Sequence, residues 1–140
     1  MSSGVETAEI IEPWLYATLA GDPSLAALVG DRIFGALTPD ELSDPYVTFA
    51  LTSARDIAGI GTARILVDAL YTVKAVAQTT SLDDVRPIAA RIDALLQGAT
   101  ADTPGHVLSV TRRNTISYPE VSRGVPFLHL GAVFRVEAHS

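Results

Sequence analysis

The sequence contains no cysteine, which excludes disulfide cross-links, thiolate nucleophiles and cysteine-ligated zinc, and fits a chain made in a reducing cytoplasm. Only 6% of its residues are aromatic against 48% hydrophobic, so a core has to be assembled from Ala, Val, Leu and Ile packed between layers. No apolar run approaches the roughly 20 residues that a membrane-crossing helix needs. The first thirty-one residues hold no Lys or Arg and scatter Glu6, Glu9 and Glu12 among them. That is the reverse of an export signal, with its basic start and apolar middle. Of ten cationic residues nine are Arg, and Lys74 is the single lysine.

What is present is enough for a folded unit. At 140 residues the expectation is one domain spanning 1–140 with a buried core. The net charge of −6 argues against tight nucleic-acid binding, because affinity for phosphate comes mainly from Lys and Arg displacing counterions. The charge is also unevenly placed. Residues 1–60 carry nine acids and two arginines (−7), residues 61–105 sum to −1, and residues 106–140 carry four arginines and two acids (+2). Such a split suits a head-to-tail contact between identical subunits.

Hydrophobic periodicity outlines the elements. Ile11, Trp14, Leu15 and Leu19 recur at helical steps; with Pro13 among them, either the helix begins near Glu12 or a longer one kinks there. Asp22-Pro23 supplies a cap and a first-turn proline for a second helix with Leu25, Leu28 and Val29 on its apolar side. Arg32 to Phe34 reads as a short strand, 37–44 as a surface loop, and Tyr46 to Leu51 as a strand with Val47, Phe49 and Leu51 alternating. Ser53 to Thr62 reads as a loop. From Ala63 to Ala77 strict alternation puts Ile65, Val67, Ala69, Tyr71, Val73 and Ala75 on one face. A helix capped by Asp84 is expected over Val85 to Gln97, burying Val85, Ile88, Ala89, Ile92, Leu95 and Leu96, with Asp93 facing out. A loop through Asp102 to Gly105 leads to strands at Val107 to Arg113 and Phe127 to Glu137, joined by a long connection from Asn114 to Pro126.

Catalytic signatures are missing. There is no G-x-S-x-G elbow and no phosphate-binding G-x-x-x-x-G-K-[ST]. Gly59-Ile60-Gly61 precedes a strand, so no helix N-terminus stands ready to meet a phosphate there. His106, His129 and His139 lack the i, i+2 and i, i+4 spacings that build metal sites locally, and His129 reads as a half-buried or interface residue. Asp83-Asp84 answers to the needs of a helix start better than to acid–base chemistry. Arg112-Arg113 puts one guanidinium on each face of a strand, so at most one of them shares a surface with Arg123 or Arg135. No catalytic, cofactor-binding or metal-binding residue is assigned, and no cofactor is expected.

Several stretches together resemble one family. Trp14 to Phe34, reading WLYATLAGDPSLAALVGDRIF, resembles the opening of the tail-terminator or tail-completion proteins of long-tailed bacteriophages, prophages and gene transfer agents. The likeness continues through the Pro-Tyr-Val strand (Asp44 to Phe49), a long strand, a helix ending in Leu95-Leu96 and a closing strand from Phe127 to Val136. It covers about residues 10–137 and rests on element order and small apolar clusters. The resemblance implies an α+β fold, with a mixed or antiparallel sheet of about four to five strands flanked by helices. It implies a non-enzymatic virion protein forming a hexameric ring that caps the head-proximal end of the tail tube, stops its growth and offers a docking face. Implied partners are further copies of the chain, the tail tube protein and a head–tail connector or stopper protein, with DNA only passing through the lumen and no membrane. The implied location is the virion tail, after assembly from the host cytoplasm. Another neck or tail-tube ring subunit, or an oligomeric α+β ligand-binding domain or enzyme, remain as alternatives.

Two groups of residues are candidates for subunit or partner contacts. Ile57 and Ile60 in the 53–61 segment, and Tyr118 and Val121 in the 114–126 segment, are apolar residues without an evident core. Arg112, Arg113, Arg123 and Arg135 form the basic side of the expected head-to-tail contact, and Asp31, Asp40, Glu41 and Asp56 its acidic side.

Overall fold

The computed structural model describes residues 7–35, 44–58, 64–103 and 106–139. The chain enters through a π-helical turn, Thr7–Ile11, that runs into α1 (Glu12–Ala20), so Pro13 falls in the first turn, where its missing N–H costs no bond. In α2 (Pro23–Val29) the Asp22 carboxylate accepts the Leu25 N–H at 2.8 Å, as the Asp-Pro pair foretold. The third helix, α3 (Arg86–Leu96), differs at its start. Asp84 does not cap it. A 3-10 turn, Leu82–Asp84, intervenes; the Ser81 hydroxyl accepts the Asp83 N–H, and the Asp84 carboxylate takes the Thr79 hydroxyl.

Among the described residues six strands form one mixed sheet: β1 (Ile33–Phe34), β2 (Tyr46–Ala58), β3 (Arg64–Ala77), β4 (Thr100–Thr103), β5 (His106–Ser122) and β6 (Val125–His139). Their order is β1-β2-β3-β6-β5-β4, and only the β1–β2 pair is parallel. The last strand therefore lies in the middle, bonded to β3 from Leu66↔His139 to Ala77↔Leu128 and to β5 along nearly its whole length. The fold class matches expectation, with six strands instead of four to five.

Three regions expected as loops are strands. Ser53 to Ala58 continues β2, Thr100–Thr103 forms β4, and the long connection from Asn114 to Pro126 is a hairpin. β5 runs on to Ser122, Arg123 (φ 52°) and Gly124 (φ 77°) make a two-residue turn, and Ser122 pairs with Val125. Two consecutive positive-φ residues are what a tight hairpin turn requires, and Gly supplies the second at no steric cost. The 37–44 loop and Ile60 lie almost wholly outside the described residues.

The helices of the described residues pack on one face. Val67, Ala69, Tyr71, Val73 and Ala75 of β3 are buried there with Phe134 and Val136 of β6, under Ile11, Leu15 and Leu19, Leu25 and Val29, and Ile88, Ile92 and Leu96. Trp14 and Leu95 pack partly against this core, while Leu28 stays exposed. The Tyr71 hydroxyl reaches Glu12 of α1 at 3.1 Å. Asp22 ties helices together: besides capping α2 it takes a two-pronged bond from Arg91 of α3, at 2.7 and 2.8 Å.

Candidate interaction surface

Among the described residues, the other face of the sheet carries no helix. It is curled, so that β2 and β5, separated by two strands, line one concavity together. Near the Ala77 end of β3 this hollow, about 570 Å³, is lined by Tyr46, Thr48, Lys74, Tyr118, Glu120 and His129 among others. Lys74 lies 4.9 Å from the Tyr118 ring centroid and hydrogen-bonds its hydroxyl. Tyr118 stacks on His129 at 4.3 Å, and His129 Nε2 meets Glu120 Oε1 at 2.7 Å. His129 is 6% exposed, and its Nδ1 is buried with no hydrogen-bond partner among the described residues. Burial lowers its pKa, and the Lys74 charge adds to that against the pull of Glu120. Burial, followed by the Glu120 charge, raises that of Tyr46.

Toward the opposite end lies a second hollow of about 460 Å³, lined by Arg55, Asp68, Thr111, Arg112, Arg113 and Arg135. Arg135 holds Asp68 through Nε and Nη2 at 2.9 and 3.0 Å, and Arg55 approaches it at 3.5 Å. Arg135 keeps the Asp68 carboxyl below its ordinary range although partial burial opposes this. A third depression, about 400 Å³, lies between α3 and the sheet, where Arg112 bridges to Asp93 at 3.1 Å. Among the described residues there is no cluster of three or more potential metal ligands, and no helix is long and apolar enough to cross a membrane.

The sequence profile of the family described as tail completion protein gp17 matches residues 13–123. The chain belongs to the tail completion gp17 family. This is a family of structural phage-tail proteins, as the resemblance of the Trp14 to Phe34 stretch implied. Among solved structures, a chain from the virion of a native gene transfer agent particle is similar at 21% identity and TM-score 0.80, covering 99% of this chain and 100% of that one. A second solved chain is similar at 15% identity and TM-score 0.54, covering 92% and 95%. No curated protein sequence matches.

In this family member the expected contact residues disperse. Arg113 and Arg135 meet in the arginine hollow, and Arg112, which lines both this hollow and the depression under α3, bonds Asp93 and Thr115. Arg123 sits in the hairpin turn, and Val121, 71% exposed, is close by on β5. Tyr118 belongs to the His129 cluster, and Ile57 is half-buried near the end of β2. Asp31 and Asp56 are exposed; Asp40, Glu41 and Ile60 lie outside the described residues. Sequence reasoning passed over Arg55, Asp68, Lys74 and Glu120. Alternation along β3 was the available signal, since it sets Asp68 and Lys74 on the face opposite Tyr71.

Two pH windows follow for stability. The lowered His129 pKa gives a contribution that is full above its ordinary 6.5 and is lost as pH falls from there, because the unfolded chain takes up the proton first. Asp22, depressed chiefly by its Arg91 bonds, and Asp68, depressed chiefly by Arg135, contribute stability that is full above about 3.8 and is lost below it. Denaturation midpoints measured from pH 3 to 8 should therefore fall in two steps. His129→Gln should remove the upper step alone, and Asp22→Asn should shrink the lower one.

Proposed function

We propose that this chain is a tail terminator: a virion protein whose copies close into a ring, most simply a hexamer, at the head-proximal end of the tail tube. There the ring stops tube growth and presents the surface on which a head connector or stopper docks. The observation carrying this reading is the family match over residues 13–123. The likeness to a gene transfer agent virion chain along essentially both full lengths supports it.

The geometry supports assembly over catalysis. Beyond its pairs with β1, which end at Thr48, β2 has no strand on its outer side among the described residues, and β5 has none beyond Ser109, where its pairs with β4 end. Residues 51–56 and 117–124 are exposed. Open edges and exposed apolar side chains such as Val121 are where another chain adds. Neither hollow on the helix-free face combines a nucleophile, a base and an oxyanion site, and the chain acts as a structural protein without a cofactor. A ring built from subunits of net charge −6 suits a lumen through which DNA slides without being held.

Negative-stain electron microscopy of the purified chain should show closed rings with a central opening. Because the contact joins an acidic half to a basic one, Arg113→Glu and Arg123→Glu should slow assembly and weaken or reverse its dependence on salt, with little change in subunit stability. Assembly indifferent to both charge reversal and salt, read by sedimentation, would rule out that contact. A purified chain that stays monomeric at every concentration would overturn the ring itself.

A further inference from the structure

The arginine hollow on the helix-free face is assembled by two irregularities in the sheet. In β2 the register shifts between Leu51↔Tyr71 and Ser53↔Leu70, leaving Thr52 as an extra residue. Before that bulge, Val47 and Phe49 turn to the core. Without it, position 55 would keep their phase and point to the face of the sheet that carries the helices. With it, Arg55 pairs with Asp68 on the open face, and its side chain is 72% exposed. In β5 a second shift, between Arg112↔Phe134 and Asn114↔Val133, makes Arg113 the extra residue, and Arg113 is exposed and lines the same hollow. Bulges on the two strands that flank the central pair thus bring two arginines beside Arg135.

The charge there is out of balance. Asp68, its side chain 10% exposed, is already filled by the two-pronged bond from Arg135, and Glu137 stands 3.6 Å from Arg135 at the rim. Arg55 at 3.5 Å makes only a loose contact with Asp68, and Arg113 adds a third positive charge. Guanidinium groups hold a planar carboxylate through paired N–H donors, so the exposed donors of Arg55 and Arg113 fit an incoming Asp or Glu.

We propose that this hollow is a carboxylate-binding site that receives an acidic side chain from residues 1–60 of a second copy of the chain. The proposal rests on the ring reading above and assigns Arg55, Arg113 and Arg135 of that interface to the carboxylate site, while Arg112, which also lines the hollow, is bonded to Asp93, and Arg123 sits apart in the hairpin turn. A second copy is the fitting occupant because its first sixty residues carry −7. Four arginines, offset by Asp68, Asp93 and Glu137, are too few to grip a nucleic-acid backbone, whose binding grows with the number of phosphates neutralised.

The single native lysine makes a direct test possible. Arg113→Lys and Arg55→Lys each add one amine that a carbodiimide can couple to a carboxylate in contact with it. The variants are assembled from mixed light and heavy isotope-labelled copies, treated, digested and analysed by mass spectrometry. The expected result is a link, absent from the native chain, between position 113 or 55 of one copy and an Asp or Glu within residues 1–60 of another. Rings in which the new amine couples only to Asp68 or Glu137 of its own copy, or to nothing, would overturn this site while leaving the ring intact. So would rings in which links form elsewhere and duplex DNA alone protects the new amine. Native chain that forms no rings would instead remove the reading on which the site rests. Independently, the Arg55→Glu, Arg113→Glu double reversal should raise the concentration for half-assembly about tenfold or more. Circular dichroism would show that the subunit still folds.

Discussion

Gly131→Ala is expected to destabilise the subunit by roughly 3 kcal/mol or more, at the upper end of what overpacking does. A Cβ at position 131 would lie 2.2 Å from the Val73 carbonyl oxygen and 2.4 Å from the Lys74 Cα. These are backbone atoms of the neighbouring strand, so no rotamer change relieves the overlap, and β3 and β6 must part where Lys74 pairs with Gly131. That pairing joins the two central strands of the sheet, and the disturbance spreads to both halves. The hairpin glycine gives the contrast. At Gly124, φ is 77° and nothing lies within 4 Å of an added Cβ, so Gly124→Ala carries only backbone strain, about 1–2 kcal/mol. Chemical denaturation of both variants checks the ranking, and a Gly131→Ala midpoint equal to the native one would refute the close approach.

The second large effect is expected at Ile92, 1% exposed on the face of α3 that covers β3, β5 and β6. Truncation to Ala removes buried methyl and methylene groups and leaves a cavity that a close-packed sheet beneath it cannot collapse to fill, which costs about 2–5 kcal/mol. Leu95→Ala on the same helix, where the side chain is only partly buried, should cost clearly less. An Ile92→Ala midpoint unchanged from the native one would mean that α3 does not hold the sheet as described.

Elements with an unbroken period were legible from the sequence. The alternation from Val67 to Ala75 and the Ile88, Ile92, Leu96 stripe both came out on the core side because one face of each is apolar throughout. The misses share a physical cause. Beyond Thr52 the bulge reverses the phase of β2, so alternation counted from Val47 stops predicting which side faces the core. Residues 114–122 of β5 are almost wholly exposed, and a strand that buries neither face shows no period to read. The hairpin turn uses Arg123-Gly124, where Asn-Gly would have announced it, and Pro119 further disguises the strand, though a proline is tolerated on an edge. The position of β6 at the centre is a matter of long-range pairing that no local signal carries.

The surface was partly legible for the same reason. Charge counting found a basic carboxy-terminal region, and Arg113 and Arg135 do meet. It could not find Arg55, which sits in the acidic half of the sequence and joins them only because of a bulge. Nor could it show that Arg112 is held by Asp93 while Arg113, the extra residue of the second bulge, is exposed.

Growth of the cognate tail tube in the presence of the purified chain tests the central claim most directly. Tube protein polymerising alone and with added rings would be followed by electron microscopy. If the chain terminates tails, a ring sits at one end of each tube and that end stops elongating, so the mean length falls as the ratio of rings to tube protein rises. Tubes that grow to the same lengths with both ends bare, or that carry this chain along their walls, would contradict the account.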